Sequence, residues 1–109
     1  MNFEVIRTEA FEKQFKKLAK KHKSLPADLL ALVNSLQEHP QQGDKLGKDC
    51  YKVRLAIASK GKGKSGGARV ITCVKIVKGV VYLLAIYDKS ERETISDAEL
   101  KQLVDLLGG

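Results

Sequence analysis

The sequence has no tryptophan, one methionine, two prolines and two cysteines, and aromatic residues make up only 6% of its 109 residues. Cys50 and Cys73 are too few for a disulfide framework and do not have the spacing of metal ligands. We expect them to be reduced thiols that are at least partly buried. The sequence therefore predicts a domain held together by an ordinary hydrophobic core, with neither metal ion nor cofactor.

Long hydrophobic runs are also missing. The longest, such as Val80 to Tyr87, fall far short of the ~20 apolar residues that cross a membrane. No basic and then apolar signal segment opens the chain. The length suits one domain with its own core, so we expect a single domain over residues 1–109 that is cytoplasmic and does not bind membranes.

Acidic residues are scarce in one part of the chain. Residues 45–78 contain 10 basic and 1 acidic side chain, whereas residues 1–44 carry 7 and 6, and residues 79–109 carry 3 and 6. A basic excess confined to one segment indicates a surface for a polyanion, and nucleic acid is the leading class. An anionic membrane is less favoured because these residues lie in strand-like sequence instead of an amphipathic helix with aromatic anchors.

The first half of the chain predicts a strand and two helices. Residues 2–7 alternate as in a short strand, and Thr8 then has the position of an N-cap for a helix ending near His22. A second helix begins at Ser24 and ends at His39. The short connection predicts an antiparallel helical hairpin that covers one side of a sheet, and residues 41–48 are predicted to be loop.

The second half changes to a period of two residues. After Cys50, apolar residues alternate with polar ones, which predicts a strand with one core face and one basic face. Residues 69–77 and 80–87 predict two further strands, joined by a two-residue turn that would set Arg69 opposite Asp88. A last helix follows Ser96. The predicted fold class is α+β: a small antiparallel sheet with an N-terminal helical hairpin on one face and a C-terminal helix, in the order βααβββα.

A loop of glycine and lysine joins the first two of these strands, at residues 60–67. It lacks the spacing of a nucleoside-triphosphate phosphate loop and leads into a strand where a helix should follow. We therefore interpret it as a hairpin tip whose lysines contact nucleic-acid phosphates or are simply solvated. The three lysines are Lys60, Lys62 and Lys64.

Three cations, Lys52, Arg54 and Arg69, are predicted to converge beside that loop. One interpretation is a cross-strand Arg69–Asp88 ion pair with two solvated neighbours. The other is an anion site for a phosphodiester, because clustered like charges need an anion to offset their repulsion. The sequence has no Ser-His-Asp, Cys-His or paired-carboxylate arrangement, so any catalysis would use lysine, arginine or tyrosine.

The chain resembles a known family along essentially its whole length. The run from Lys52 to Lys89 carries the most specific part of the likeness: the glycine loop, then residues 68–71 (ARVI), then a strand ending at residues 86–89 (IYDK). This combination is similar to the RelE/ParE toxin superfamily, nearest to its RelE/HigB-like branch. The resemblance implies a type II toxin that is paired with a cognate antitoxin, enters the ribosome and cleaves messenger RNA as a metal-independent endoribonuclease (mRNA interferase).

The resemblance also implies roles for particular residues. Arg69 would bind the scissile phosphate, Lys52 would be the base that assists attack by the ribose 2′-hydroxyl, and Arg54 would be a second phosphate ligand. Lys89 and Arg92 match basic positions after the last strand. These cations would stabilise the charge of the phosphorane transition state.

Two positions depart from the family pattern. Some ribosome-dependent members have an arginine where this chain has Ser90, and a functional tyrosine where it has Ser96. Tyr87 comes too early to match that tyrosine, so it is either an RNA-contacting residue or a strand aromatic in the core. Two alternative functions follow: a ParE-like gyrase-inhibiting toxin, or a catalytically inactive RelE-fold protein that binds nucleic acid or an antitoxin.

Overall fold

The computed structural model describes residues 2–108. In them the chain forms five strands, three α-helices and two short 3₁₀ turns within residues 58–66. The elements in chain order are β1 (Glu4–Arg7), α1 (Glu9–Lys21), α2 (Leu25–Glu38), β2 (Asp44–Gly47), β3 (Cys50–Leu55), β4 (Ala68–Lys75), β5 (Val80–Asp88) and α3 (Asp97–Asp105).

The five strands form one sheet in the order β1-β5-β4-β3-β2. β2 to β5 pair antiparallel with their chain neighbours, whereas β1 pairs parallel with β5. The two helices α1 and α2 carry the chain from β1 at one edge of the sheet to β2 at the other edge. The middle strand of the sheet is β4, and seven of its eight residues are buried.

The helical hairpin covers one face of the sheet, as the sequence predicts. Thr8 caps α1 through a hydrogen bond from the Phe11 backbone N–H, and Leu25 and Pro26 begin α2. Both helices pack on the alternating apolar residues of β3 and on β4 and β5. The core residues contributed by β3 and the segment after it are Tyr51, Val53, Leu55 and Ile57.

The other face carries a smaller core under α3. Ser96 caps this helix by accepting from the Glu99 N–H, and Leu100 is its one fully buried residue. Leu103, Val104 and Leu107 pack against the same core with part of their surface exposed. Because β4 and β5 are covered on both sides, they are apolar at nearly every position, as expected for central strands.

Two details of the predicted sheet are wrong. The predicted loop at residues 41–48 contains β2, which makes the order βααββββα, and its Lys48–Asp49 turn has positive φ at both residues. Such a pair of residues is typical of a type I′ hairpin turn, although the glycine that usually marks it is absent. The β4–β5 turn spans residues 76–79, and the pairing of the two strands is interrupted by a bulge between Ile71 and Thr72. Together these shift the register, so that Arg69 pairs with Tyr87 and Asp88 pairs with Ala68.

Candidate functional site

The predicted cationic strand face exists, on the side of the sheet opposite the helical hairpin. Arg54, Arg69 and Tyr87 lie side by side on β3, β4 and β5, because each is the direct partner of the next in the sheet register. Lys52 lies one row further along, opposite Ile71. Partners in a ladder share a face, so the sheet brings these four side chains together. Arg54 is exposed and Lys52 is half-buried.

Arg69 is buried under the glycine loop, with only 4% of its surface exposed. Its guanidinium donates hydrogen bonds to the carbonyl oxygens of Lys64 and Ala68, each at 3.0 Å, and to that of Ser65 at 3.4 Å. The predicted Arg69–Asp88 ion pair is absent from the described residues. The arginine therefore holds the glycine loop in shape while its charge lies directly behind that loop.

Close packing explains one glycine of the loop. A Cβ atom on Gly67 would stand 2.0 Å from the carbonyl oxygen of Leu55, so no larger residue fits where β3 and β4 diverge. The Gly67 carbonyl also accepts from the Lys89 N–H at 3.0 Å. The loop is thereby attached to the end of β5, while the side chains of Lys62 and Lys64 stay exposed.

A buried polar cluster stands at the same end of the sheet. Asp88 is 5% exposed and accepts hydrogen bonds from Lys60 Nζ at 2.9 Å and from the backbone and hydroxyl of Ser90 at 2.9 and 2.8 Å. His22 Nε2 lies 3.2 Å from the same carboxylate. One carboxylate thus joins the end of α1, the loop after β3 and the end of β5.

The charge of Asp88 is stabilised in place. Burial by itself would raise the pKa of this carboxyl group, but the hydrogen bonds from Ser90 and Lys60 outweigh it and hold the pKa well below its usual range. Lys60, predicted from the sequence as a phosphate contact, is therefore occupied by an internal partner.

A second group of cations has no such partner. Among the ion pairs of residues 2–108, none includes a member of this group. An uncompensated cluster of this kind on a surface is what a polyanion-binding face requires. We call it the unpaired basic face; its members are Lys52, Arg54, Lys62, Lys64 and Lys89.

A surface cleft adjoins the unpaired basic face. β2 pairs with β3 only as far as Lys52, so the outer edge of β3 is open beyond that residue. The cleft between this edge and α2 has a volume of about 280 Å³ and is lined by Arg54 and Lys64 together with polar groups of Asp28, Ser35 and Gln42. One carboxylate oxygen of Asp28 is occupied by the Ser24 hydroxyl and the Ala58 N–H. A cation at the mouth of a polar cleft can hold a phosphate while a base occupies the space beside it.

Within the described part of the chain, no three histidine, cysteine, aspartate or glutamate residues are grouped to hold a metal ion. No helix in residues 2–108 is long and apolar enough to cross a membrane.

Comparison with known families matches residues 9–107 to the RelE toxin of the RelE/RelB toxin–antitoxin system. The chain belongs to the RelE toxin family. Membership makes it a toxin of a toxin–antitoxin system and implies an antitoxin partner. The narrower likeness to the RelE/HigB-like branch stays a prediction.

Solved structures of the Escherichia coli toxin RelE share the fold. A double arginine-to-alanine mutant in the free state is 19% identical, with a TM-score of 0.65 over 98% of this chain and 99% of that one. The isolated toxin in a P21 crystal form is also 19% identical, with a TM-score of 0.61 over 95% of this chain and 98% of that one. At this identity the likeness establishes the RelE fold alone.

Tyr87 is packed into the RelE fold and does not project from it. It is 7% exposed, and its hydroxyl has no hydrogen-bond partner among the described residues. Burial raises its pKa, partly opposed by the charges of Arg92 and Arg69. The Arg92 guanidinium lies 5.0 Å from the ring centroid and pairs with Glu99 at 2.7 Å. Tyr87 is thus covered by a cation that α3 holds in place.

Sequence reasoning missed the cluster around Asp88. The residue stood inside the run that carried the family resemblance, but its proposed partner was Arg69. Helix periodicity put His22 at the end of α1, and nothing local indicates that this end meets the end of β5. That meeting follows from the parallel pairing of β1 with β5, which carries α1 along the sheet toward Asp88.

Proposed function

We propose that this RelE-family toxin is a ribosome-dependent messenger RNA endoribonuclease. The observation that carries the proposal is the unpaired basic face, two of whose members, Arg54 and Lys64, line an open cleft. Membership of a toxin family whose members are generally endoribonucleases supports it. Cleavage would proceed by attack of a ribose 2′-hydroxyl on the adjacent phosphate, leaving a cyclic phosphate and a 5′-hydroxyl.

Each step of this reaction has a candidate group on the face. The 2′-hydroxyl must lose a proton, the phosphorane must have its added negative charge stabilised, and the leaving 5′-oxygen must gain a proton. Lys52 is the proposed base. Arg54 is the proposed phosphate ligand, since it is exposed and lines the cleft. Lys89, at the end of β5, is the proposed source of positive charge for the leaving oxygen.

Arg69 contributes from behind the loop. Three of its five N–H donors are used by loop and strand carbonyls, so two are left for a phosphate that approaches through the glycine loop. We propose that it orders the loop and adds its charge to the site. Lys62 and Lys64 would contact flanking phosphates, which fixes the position of the RNA without reading its sequence.

The decisive experiment uses purified ribosomes carrying a messenger RNA, with 5′-end mapping of the products. Wild-type protein should produce cuts with 5′-hydroxyl ends only when ribosomes are present. The matched control is Lys78→Ala, an exposed lysine in the β4–β5 turn at the opposite end of the sheet. It should cut like wild type, whereas Lys52→Ala and Arg54→Ala should not.

Two other outcomes would replace the proposal. Growth arrest on induction without any cut in messenger RNA would favour a binding inhibitor, such as a ParE-like toxin acting on gyrase. Neither arrest nor cleavage at full soluble expression would favour the inactive RelE-fold binding protein, which the buried Tyr87 and the serines at positions 90 and 96 permit.

The antitoxin is proposed to act on the unpaired basic face or on α3. Only Leu100 of α3 is fully buried and Leu106 is 77% exposed, so the helix is held by a small apolar contact that a competing helix could replace. Hydrogen exchange with and without the cognate antitoxin should show new protection in residues 52–69 or in α3. Protection confined to α1 and α2 would contradict this mode.

A further inference from the structure

Cys50 and Cys73 are direct partners across β3 and β4. The Val74 N–H donates to the Asp49 carbonyl oxygen at 2.9 Å, and this bond joins the residues that flank the pair on one side. That pattern makes Cys50 and Cys73 a non-hydrogen-bonded pair, in which Cα atoms stand ~4.5 Å apart and side chains approach most closely. Disulfides span Cα separations of ~4.4–6.8 Å, so the strands already hold the two residues at bridging distance.

The two sulfur atoms also converge. Cys50 Sγ lies 3.4 Å from the carbonyl oxygen of Lys48, and Cys73 Sγ lies 3.9 Å from the same oxygen. That oxygen has two lone pairs, so it can accept from both thiols, and the two sulfur atoms are gathered around it. A hydrogen bond between the two thiols lowers the pKa of Cys73 to about 7, while that bond and burial raise the pKa of Cys50. Cys73 is thereby the more readily ionised sulfur.

A surface cleft comes close to the pair at the β2–β3 turn. Cys50 and Cys73 are 1% and 0% exposed, but a surface cleft of about 360 Å³ is lined by Lys48, Asp49 and Cys50. The turn residues Lys48 and Asp49 have φ of 55° and 65°, in the left-handed region that costs energy for residues other than glycine. A small displacement of this turn would uncover the sulfurs to a molecule the size of hydrogen peroxide.

We propose that Cys50 and Cys73 form a redox site that closes to a disulfide under peroxide. The Cys73 thiolate attacks one peroxide oxygen, the O–O bond breaks, and the released hydroxide takes up a proton to become water. The sulfenic acid on Cys73 is then attacked by the Cys50 sulfur, which forms the S–S bond and releases a second water. In sum, two thiols and one peroxide give one disulfide and two waters.

The bridge would constrain the segment that bears the candidate site. Residues 51–72, between the cysteines, include the glycine loop and every member of the unpaired basic face except Lys89. Cross-linking its two ends removes conformations from the unfolded chain, so the oxidised protein should be the more stable form. The site is independent of the proposed nuclease activity and is tested without it.

The test treats the reduced full-length protein with a graded series of hydrogen peroxide and analyses it by non-reducing peptide mass spectrometry. A Cys50–Cys73 cross-linked peptide should form within one chain, and dithiothreitol should reverse it. The melting temperature of the oxidised protein should rise by roughly 10 °C. Cys50→Ala and Cys73→Ala, made separately so that one folding failure does not decide the result, should give neither the peptide nor the rise.

Several results would overturn the proposal. These are thiols that stay reduced while Met1 is oxidised, cysteines that end as separate sulfinic or sulfonic acids, and a bridge that forms only between two chains. A bridge that leaves the melting temperature unchanged or lowers it would show that the strands must distort to form it.

Discussion

The two groups of cations at one end of the sheet differ in what balances their charge. Lys60 is held by Asp88 in a cluster that is nearly closed to solvent, whereas Lys52, Arg54, Lys62 and Lys64 have no carboxylate within ion-pair distance in residues 2–108. A buried charge without a partner is strongly unfavourable, while an exposed one costs little. The comparison therefore separates cations that stabilise the fold from cations available to a ligand.

Replacing Arg54 by alanine should have the largest effect, and it should be on activity alone. An exposed arginine contributes little to folding, but loss of a group that stabilises transition-state charge costs ~10²–10³-fold in rate. The measurement is the rate of ribosome-dependent cleavage, with the free energy of unfolding recorded beside it. A variant that cuts at the wild-type rate would remove Arg54 from the site.

Replacing Asp88 by asparagine should do the reverse and reduce stability. Lys60 and His22 would lose their charged partner in a buried setting, at a cost of about 3 kcal/mol in the free energy of unfolding. Glu91→Gln is the matched control, because its ion pair with Lys21 is exposed at 3.6 Å and should be worth less than ~1 kcal/mol. Urea denaturation at pH 7 measures both.

The wild type and Asp88→Asn should also differ in how their free energies of unfolding depend on pH. Since the folded pKa of Asp88 lies below its unfolded value, its stabilisation is complete above about pH 4 and is lost as the pH falls toward the folded pKa. The wild type should therefore lose more stability than Asp88→Asn between about pH 5 and pH 3. Parallel losses in the two proteins would mean that Asp88 is not the titrating group.

Replacing Arg69 by alanine should have an intermediate effect and reduce both the cleavage rate and the stability. Its removal leaves loop and strand carbonyls without their donors, at an expected cost of about 2 kcal/mol in unfolding free energy. Cleavage should decline with it because the glycine loop loses its order. Full activity together with unchanged stability would show that Arg69 belongs to neither group.

Replacing Lys62 and Lys64 together by alanine should have the smallest effect. If both side chains contact phosphates, the slope of log affinity for RNA against log salt should become shallower by about two. Stability should stay within ~0.5 kcal/mol of wild type, since both side chains are exposed. An unchanged slope would make them solvated residues of a hairpin tip.

Much of the fold was predictable because its signals are local. Thr8 and Ser96 cap helices where the sequence indicates, and the alternation after Cys50 correctly assigns core and basic faces of β3. The strand that sequence analysis missed, β2, lacked such signals. β2 has only four residues, of which Leu46 alone is even partly buried, and its turn at Lys48–Asp49 lacks the expected glycine.

The positions of the candidate cations along the chain were predictable, but their partners were not. The sequence by itself determined that Lys52, Arg54, Lys62 and Lys64 would lie on one strand and the loop that follows it, because strand alternation and chain connectivity decide that much. Only the tertiary structure decided which of them have partners. Burial and pairing depend on contacts between residues far apart in the chain: a bulge at Ile71/Thr72 and a four-residue turn move Asp88 away from Arg69, and the parallel β1–β5 pairing brings His22 to it.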